Sequence, residues 1–351
     1  MSKIDILSLT LSELTEKFKE LNIQSYKALQ VFQWLSKGEK SFENMTNLSK
    51  NHIEMLNQIF FIENLKISKK LESKLDSTVK YLFRLSDNEQ IETVVMEYHH
   101  GFSICISSQV GCRMGCKFCA STIGGLVRNL TAGEMFDQIL AVKKDLGITI
   151  ASVVIMGIGE PLDNFDNLIS FLYNISNKDG FNLSLRHLSL STSGIVPNIE
   201  KLSKYKFPLT LSVSLHAPNN KLRDSIMPIN SAYPIEKLIA ACKEYFKVTG
   251  RRISFEYTLI ENENDNIETA IELAKLLKGI NCHVNLIPVN TVLETGFKRS
   301  SRTNVELFMN KLLDYSITAT VRRTLGKDIN ASCGQLRNEK AEEISSKLEA
   351  K

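Results

Sequence analysis

The sequence predicts an α/β protein whose larger part is an open, partial parallel barrel of six strand–helix units, preceded by a small helical segment and a β-hairpin. Three observations predict it. Apolar, β-rich runs near 103–107, 151–156, 187–192, 209–215, 252–260 and 283–287 alternate with helical stretches near 131–146, 164–176, 197–205, 234–248, 266–279 and 302–315. The repeat of strand, helix, strand requires a parallel sheet, and six units are too few to close an eight-fold barrel. The residue types that carry chemistry also follow the carboxyl ends of those runs, where parallel barrels gather reactive groups. The chain has 351 residues, 43% hydrophobic and 23% charged, which suits two ordered domains and excludes a disordered chain.

In chain order, Thr10 and Glu13 form a capping-box pattern ahead of Leu11, Leu14, Phe18 and Leu21, whose spacing lays an apolar stripe along one helix. A second helix is expected over 25–37, with Ala28, Phe32 and Leu35 inward and Gly38 as its stop. A third carries Ile53, Leu56 and Ile59. Residues 1–75 therefore read as an N-terminal helical domain, whose Lys and Gln side chains suit either RNA or plain solvent. Runs 79–85 and 91–97 flank the polar stretch 86–90 as a hairpin, making 76–100 a β-hairpin connector. Glu92 sits in its second strand and, taken alone, is a solvated carboxylate. The barrel with its C-terminal cysteine loop is expected over 101–340, and 341–351 as a tail.

The first barrel strand leads into Gly111-Cys112-Arg113-Met114-Gly115-Cys116-Lys117-Phe118-Cys119-Ala120, three thiols at C-x3-C-x2-C spacing. Structural zinc uses four closed ligands, usually from paired C-x2-C hooks that are absent here. A cubane iron–sulfur cluster accords better, since three thiolates leave the fourth iron open to a ligand. On the residues alone a second reading stands: Cys105 closes a four-thiolate structural zinc site in a non-catalytic RNA-binding protein. Seven cysteines, an odd number, suit a reducing compartment rather than a disulfide frame. The start of the chain shows no secretory or transit pattern, so the protein is expected in the cytoplasm and off the membrane. Net charge is +4, while residues 1–100 hold thirteen Lys or Arg against fourteen Asp or Glu. Basic pairs such as Lys298-Arg299 and Arg322-Arg323 suit a phosphate path without deciding it.

The later strand ends complete the candidate site. Gly157-Ile158-Gly159-Glu160-Pro161 lacks the third glycine of a phosphate loop, yet its glycines permit close backbone approach and Glu160 suits an ammonium group. Ser191, Ser214 and Asn290 offer neutral hydrogen bonds, and His216 reads as a ligand or a satisfied structural histidine. Cys333, among small and polar neighbours before Gly334, reads as an accessible loop thiol, whereas Cys242 and Cys282 read as packing residues.

These segments together carry a specific resemblance. Glu92-Thr93-Val94, Cys105, Ser107-Ser108-Gln109-Val110-Gly111-Cys112, Arg128-Asn129-Leu130, Gly159-Glu160-Pro161-Leu162, Ser191-Thr192-Ser193-Gly194, Ser214-Leu215-His216, Met227-Pro228-Ile229-Asn230 and Cys333-Gly334-Gln335-Leu336 resemble the RlmN/Cfr family of radical S-adenosylmethionine (SAM) RNA methyltransferases. Phe118 before the third cysteine belongs to the same pattern, and the likeness covers nearly the whole chain. Pro161 stands where the C8-directed members of the family typically carry Ala, which favours the C2-directed branch.

The resemblance implies a radical SAM partial (β/α)6 barrel, with one [4Fe–4S] cluster held by Cys112, Cys116 and Cys119. It implies SAM contacts from Gly159, Glu160, Ser191, Ser214, Leu215, His216 and Asn290, with two SAM molecules used per turnover. The implied reaction methylates C2 of adenosine 2503 in 23S rRNA and of adenosine 37 in tRNAs. It proceeds through S-methylated Cys333 and a 5′-deoxyadenosyl radical, with Glu92 as base and Cys105 resolving the adduct as a transient disulfide with Cys333. An electron donor such as flavodoxin or ferredoxin, and a monomeric state, complete the expectation.

Overall fold

The computed structural model describes residues 3–290 and 292–337; the expected tail at 341–351 lies outside them. The chain opens with a short strand β1 (Ile4–Asp5), then helices α1 (Leu11–Glu20), α2 (Ser25–Ser36) and α3 (Lys50–Ile59), and strand β2 (Phe60–Phe61) pairs parallel with β1. The capping box forms as expected, with the Thr10 hydroxyl accepting from the Glu13 N–H and the Glu13 carboxylate accepting from the Thr10 N–H. Strands β3 (Lys66–Glu72), β4 (Val79–Arg84), β5 (Gln90–Tyr98) and β6 (Gly101–Ile106) follow as an antiparallel run. A small ribbon of β7 (Gln109–Gly111) and β8 (Leu126–Asn129) closes the cysteine loop.

The parallel part then alternates as α4 (Ala132–Leu146), β9 (Ile150–Ile155), α5 (Phe165–Ser176), β10 (Leu188–Thr192), α6 (Val196–Ser203), β11 (Thr210–Ser214), α7 (Asn220–Ile226) and α8 (Ile235–Thr249). It continues through β12 (Ile253–Leu259), α9 (Ile267–Leu277), β13 (Cys282–Pro288), α10 (Arg302–Asp314) and β14 (Ala319–Val321). One ten-stranded sheet runs β14-β13-β12-β11-β10-β9-β6-β5-β4-β3. The six expected parallel strands are β6 and β9 to β13, and the short β14 adds a parallel seventh. A three-residue strand with only Ala319 buried gives the sequence too little periodicity to read.

Three features differ from the simplest reading of the sequence. The hairpin does not stand apart from the barrel, because β5 pairs with β6 from Val94–Cys105 to Tyr98–Gly101 and so extends the barrel sheet. Residues 66–72, read as part of the helical segment, form the edge strand β3, nearly all exposed and carrying Lys66, Lys69 and Lys70. Lysines on an open edge discourage pairing with another chain, and their polarity hides the strand from hydrophobic pattern. The helical segment is not a separate bundle either. Leu14, Phe18, Ala28, Val31, Phe32 and Leu35 belong to one continuous core with the strands and helices of the barrel.

Candidate active site

The carboxyl ends of the parallel strands surround a cavity, partly open to solvent, with two adjoining lobes of similar size. Cys112, Cys116, Cys119 and Glu160 line the first lobe, Cys333, Asn290 and Arg322 line the second, and Phe118, Cys119, Met156, Ser191, Ser214 and His216 are common to both.

The cysteine loop is shaped by its ribbon. Gly111 has φ +75°, and a Cβ there would sit 1.9 Å from the Gly125 carbonyl oxygen, so only glycine lets the loop close. The Cys112 N–H donates to that same carbonyl at 2.9 Å, and a turn from the Cys119 N–H to the Cys116 carbonyl fixes the last two thiols. Burial pushes the Cys112 thiol up to about 12 and Cys116 well above its ordinary value. Three soft thiols on one loop, reluctant to ionise without a cationic centre, fit a thiolate-held cluster. Three thiols lining one lobe suit a cluster in which each binds a different iron.

Cys105 stands apart from this set. It lies in β6 opposite Val94, packed with Ile158, Ala331 and Leu336, and the charges that act on it are those of Cys333 and Arg322. Burial raises its thiol to about 12. The zinc reading needed Cys105 beside the loop thiols, and its place in an apolar pocket next to Cys333 removes that support.

The other expected residues fall at strand ends as foreseen, with two changes of role. Gly159 has φ +109°, and its missing Cβ is occupied by Gln109 and Ser108 at 2.6–2.8 Å, while that of Gly157 faces Ile106 and Ser107. Their Cβ sides face the chain itself, while both glycines also line the lobe of the three thiols. Glu160, 3% exposed, accepts from the Leu162 N–H at 3.0 Å and the Ser193 N–H at 2.6 Å, and burial raises its carboxyl. Glu160 is among the residues that line the lobe of the three thiols.

Asn290 donates to the Cys333 carbonyl at 3.0 Å, so its amide serves the cysteine loop. His216 (φ +57°) accepts from the Thr258 N–H at Nδ1, packs edge-on against Phe118 at 4.8 Å, and is lowered to about 3 by burial. It is a neutral imidazole with Nε2 left as a donor. Leu215 is fully buried in the core and its side chain lines neither lobe.

The loop of Cys333 is docked onto the loop of the three thiols. The Ala120 N–H donates to the Gly334 carbonyl at 2.8 Å, and the Ser121 hydroxyl to the Leu336 carbonyl at 2.7 Å. Glu92, 1% exposed, accepts from the Arg337 N–H at 2.9 Å and pairs with Lys80 at 2.7 Å, which ties β5 to the same loop. This carboxylate is therefore buried and partnered, not solvated.

Two arginines escape a reading by pattern. Arg223, fully buried, bridges the carbonyls of Ser193, Ser214 and Leu215 and the Asn230 side chain, holding the ends of β10 and β11 to the turn after α7. Arg322 lies between Cys333, Cys105 and Glu256, and Cys333 is the largest influence keeping it charged. Only the basic pair Arg322-Arg323 gave a sign of the second, and a lone Arg in a helix gave none of the first.

A three-thiol loop over the carboxyl ends of a partial parallel barrel, with a buried carboxylate in the same lobe, is the architecture of a radical SAM enzyme. The sequence profile of the Radical SAM superfamily matches residues 106–274, and that of the Ribosomal RNA large subunit methyltransferase N-terminal domain matches residues 4–62. The chain is 53% identical over 337 residues to the "Probable dual-specificity RNA methyltransferase RlmN" of Alkaliphilus oremlandii, covering 96% of this chain and 98% of that one. It is 48% identical to the protein of the same name in Clostridium novyi, covering 95% and 97%. A radical SAM methyltransferase from Sphaerobacter thermophilus superposes with TM-score 0.90 at 41% identity, over 95% of this chain and 99% of that one. Streptococcus suis SuiB bound to S-adenosylmethionine shares the fold alone, with TM-score 0.50 at 18% identity over 63% and 50% of the chains.

The chain belongs to the RlmN family of radical SAM RNA methyltransferases, enzymes of ribosomal RNA that work with a [4Fe–4S] cluster and S-adenosylmethionine. No described helix is long and apolar enough to cross a membrane.

Proposed function

We propose that this enzyme methylates C2 of adenosine 2503 in 23S rRNA and of adenosine 37 in tRNAs, with Cys333 as methyl carrier, Glu92 as base and Cys105 as resolving thiol. The observation that carries the reading is the docking of the Cys333 loop on the three-thiol loop, so that Cys333 and Cys119 line one cavity while Cys105 is buried close enough to Cys333 to feel its charge.

The substrate carbon dictates the chemistry. C2 of adenine lies between two ring nitrogens, is electron-poor, and has no electron pair to offer a sulfonium methyl group. When bound, the cluster and SAM supply a methyl group for sulfur and a 5′-deoxyadenosyl radical for hydrogen abstraction. Cys112, Cys116 and Cys119 would hold the cluster, and Glu160 would hold the ammonium of SAM, with Gly159, Ser191, Ser214, His216 and Asn290 around it and Leu215 packed behind them in the core. Cys333 takes the methyl group on sulfur and presents its carbon to C2. Glu92 accepts the C2 proton. Cys105 attacks the Cys333 sulfur, the bond from that sulfur to the transferred carbon breaks, that carbon takes up a proton as the methyl group, the odd electron left by hydrogen abstraction would pass back to the cluster, and a Cys105–Cys333 disulfide remains for external thiols to reduce. Loss of a proton from C2 and cleavage of the sulfur–carbon bond need three separate groups around one carbon, which is what Glu92, Cys333 and Cys105 offer.

The helical N-terminal domain and the basic pairs are assigned to RNA, presented as an unstacked loop adenosine. The enzyme would act as a cytoplasmic monomer fed by a flavodoxin- or ferredoxin-class electron donor. The test is Cys105→Ala. That protein should keep its iron and still methylate Cys333, then stall with adenine C2 joined to Cys333 and co-purify with RNA that resists a denaturing wash. Adding Cys333→Ala should abolish the trapped RNA. A Cys105→Ala enzyme that turns over normally, or that loses its iron without trapping RNA, sinks the assignment.

A further inference from the structure

A second, smaller pocket, partly open to solvent, adjoins the first at Cys333. Ile287, Asn290, Arg322 and Cys333 line both, and none of the three loop thiols lines the second.

The geometry of β5 explains what lines this second space. Side chains two apart on a strand share a face, so Glu92, Val94, Met96 and Tyr98 form one stripe, and Val94 on that stripe pairs with Cys105 of β6. The stripe runs from the buried Glu92 and Val94 to the half-buried Met96 and Tyr98, and these last two line the second cavity. The Tyr98 ring lies parallel to exposed His100, with centroids 5.4 Å apart and planes 8° apart, and His99 meets His100 edge-on at 5.1 Å. The only hydrogen bond of the Tyr98 hydroxyl among the described contacts is a weak one to the Met96 sulfur at 3.7 Å. Arg323, exposed, completes the rim, while Arg322 is committed to Glu256 and the Met156 sulfur.

A small space walled by a flat aromatic ring, a thioether and apolar residues, with a guanidinium at its rim, matches a nucleotide: a planar base that stacks and an anionic phosphate outside. We infer that this second cavity seats the target nucleotide, with Tyr98 as the wall against which its adenine stacks and Arg323 as the cation that faces its phosphate. The inference rests on the methylation reading above and extends it to substrate positioning. The adenine edge would then meet Cys333 from a pocket that none of the three loop thiols lines, on the strand face that also carries Glu92.

Two RNA hairpins test this, identical except that one carries the target adenosine and the other an abasic site in its place. Binding to the purified holoenzyme isolates what the base contributes, without turnover. Stacking of one base is worth about tenfold in affinity, so the wild type should bind the adenosine hairpin about tenfold tighter than the abasic one. Tyr98→Phe should keep that ratio. Tyr98→Leu, which stays apolar but has no flat face, should reduce it below about twofold while abasic binding is unchanged, whereas a merely structural role would weaken both hairpins alike.

Arg323→Gln should weaken both hairpins equally and lower the salt dependence of binding by about one phosphate contact. A Tyr98→Leu protein that retains the tenfold preference, or an Arg323→Gln protein with unchanged salt dependence, overturns the corresponding half of the inference. A wild-type enzyme that leaves the adenosine hairpin unmethylated at C2 overturns the reading beneath it instead.

Discussion

At Gly111 a single absent carbon decides whether the three thiols can be presented together. A Cβ there would meet the Gly125 carbonyl at 1.9 Å on a backbone with φ +75°, and neither atom can move without opening the β7–β8 ribbon. Gly111→Ala should therefore cost about 3 kcal/mol or more and lower the iron recovered on anaerobic purification, measurable by thermal melting and metal analysis. The thiols themselves separate by role. Cys116→Ala should abolish the cluster, leaving almost none of the expected four irons or so per chain. Cys333→Ala should keep the iron and lose methyl transfer. Iron loss in the Cys333 variant would show that the ligand set had been drawn wrongly.

Among the elements, the β4–β5 hairpin does more than lengthen the sheet. Lys80 in β4 pairs with Glu92 in β5 at 2.7 Å, with side chains only 7% and 1% exposed, and the Lys80 ammonium also donates to the Asn330 carbonyl beside the Cys333 loop. Removing one partner of a buried ion pair leaves the other charge stranded. Lys80→Met should lower stability by about 3 kcal/mol, read as a shift in the midpoint of chemical denaturation. The double variant Lys80→Met, Glu92→Gln should recover part of the loss, and a Lys80→Met protein as stable as wild type would deny the pair a structural role.

For the molecule as a whole, the seam between the N-terminal segment and α4 gathers carboxylates. Asp5, Glu63 and Asp137 are all buried there, with Glu134 nearby. The cations facing them are Lys40, bonded to Asp137, and Arg128, bonded to Glu134. Burial first, then the charges of Glu134 and Asp5, raise the Glu63 carboxyl to about 7, and burial likewise raises Asp5 and Asp137.

An acid whose carboxyl is raised on folding holds its proton more tightly folded than unfolded, so stability falls as pH rises from its ordinary value through the raised one. Stability should therefore decline between about pH 4.5 and 7, with the loss complete above that window. Glu63→Gln should match wild type near pH 5 and exceed it by about 2 kcal/mol at pH 8, as measured by denaturant titration at the two pH values. Equal stabilities at pH 8 would refute the coupling.

The sequence by itself determined the alternation of strands and helices, the capping box at Thr10, the three-thiol loop and the place of each reactive residue at a strand end. Those features are local: hydrophobic period, cap chemistry and cysteine spacing are set by neighbours within a turn or a strand. It also carried the family likeness through short motifs scattered over the chain. Tertiary structure decided what no local pattern carries. It placed Cys105 beside Cys333 and away from the loop thiols, because β6 pairs with β5 while residues 330–337 fold back across that sheet face from the far end of the chain. It turned Glu92 from a solvated strand residue into a buried, partnered carboxylate, and packed the glycines at 157 and 159 against residues 106–109 at the edge of the three-thiol lobe. Contacts between residues more than two hundred positions apart depend on how the whole sheet is ordered, and strand order is fixed by long-range packing that no segment of sequence encodes alone.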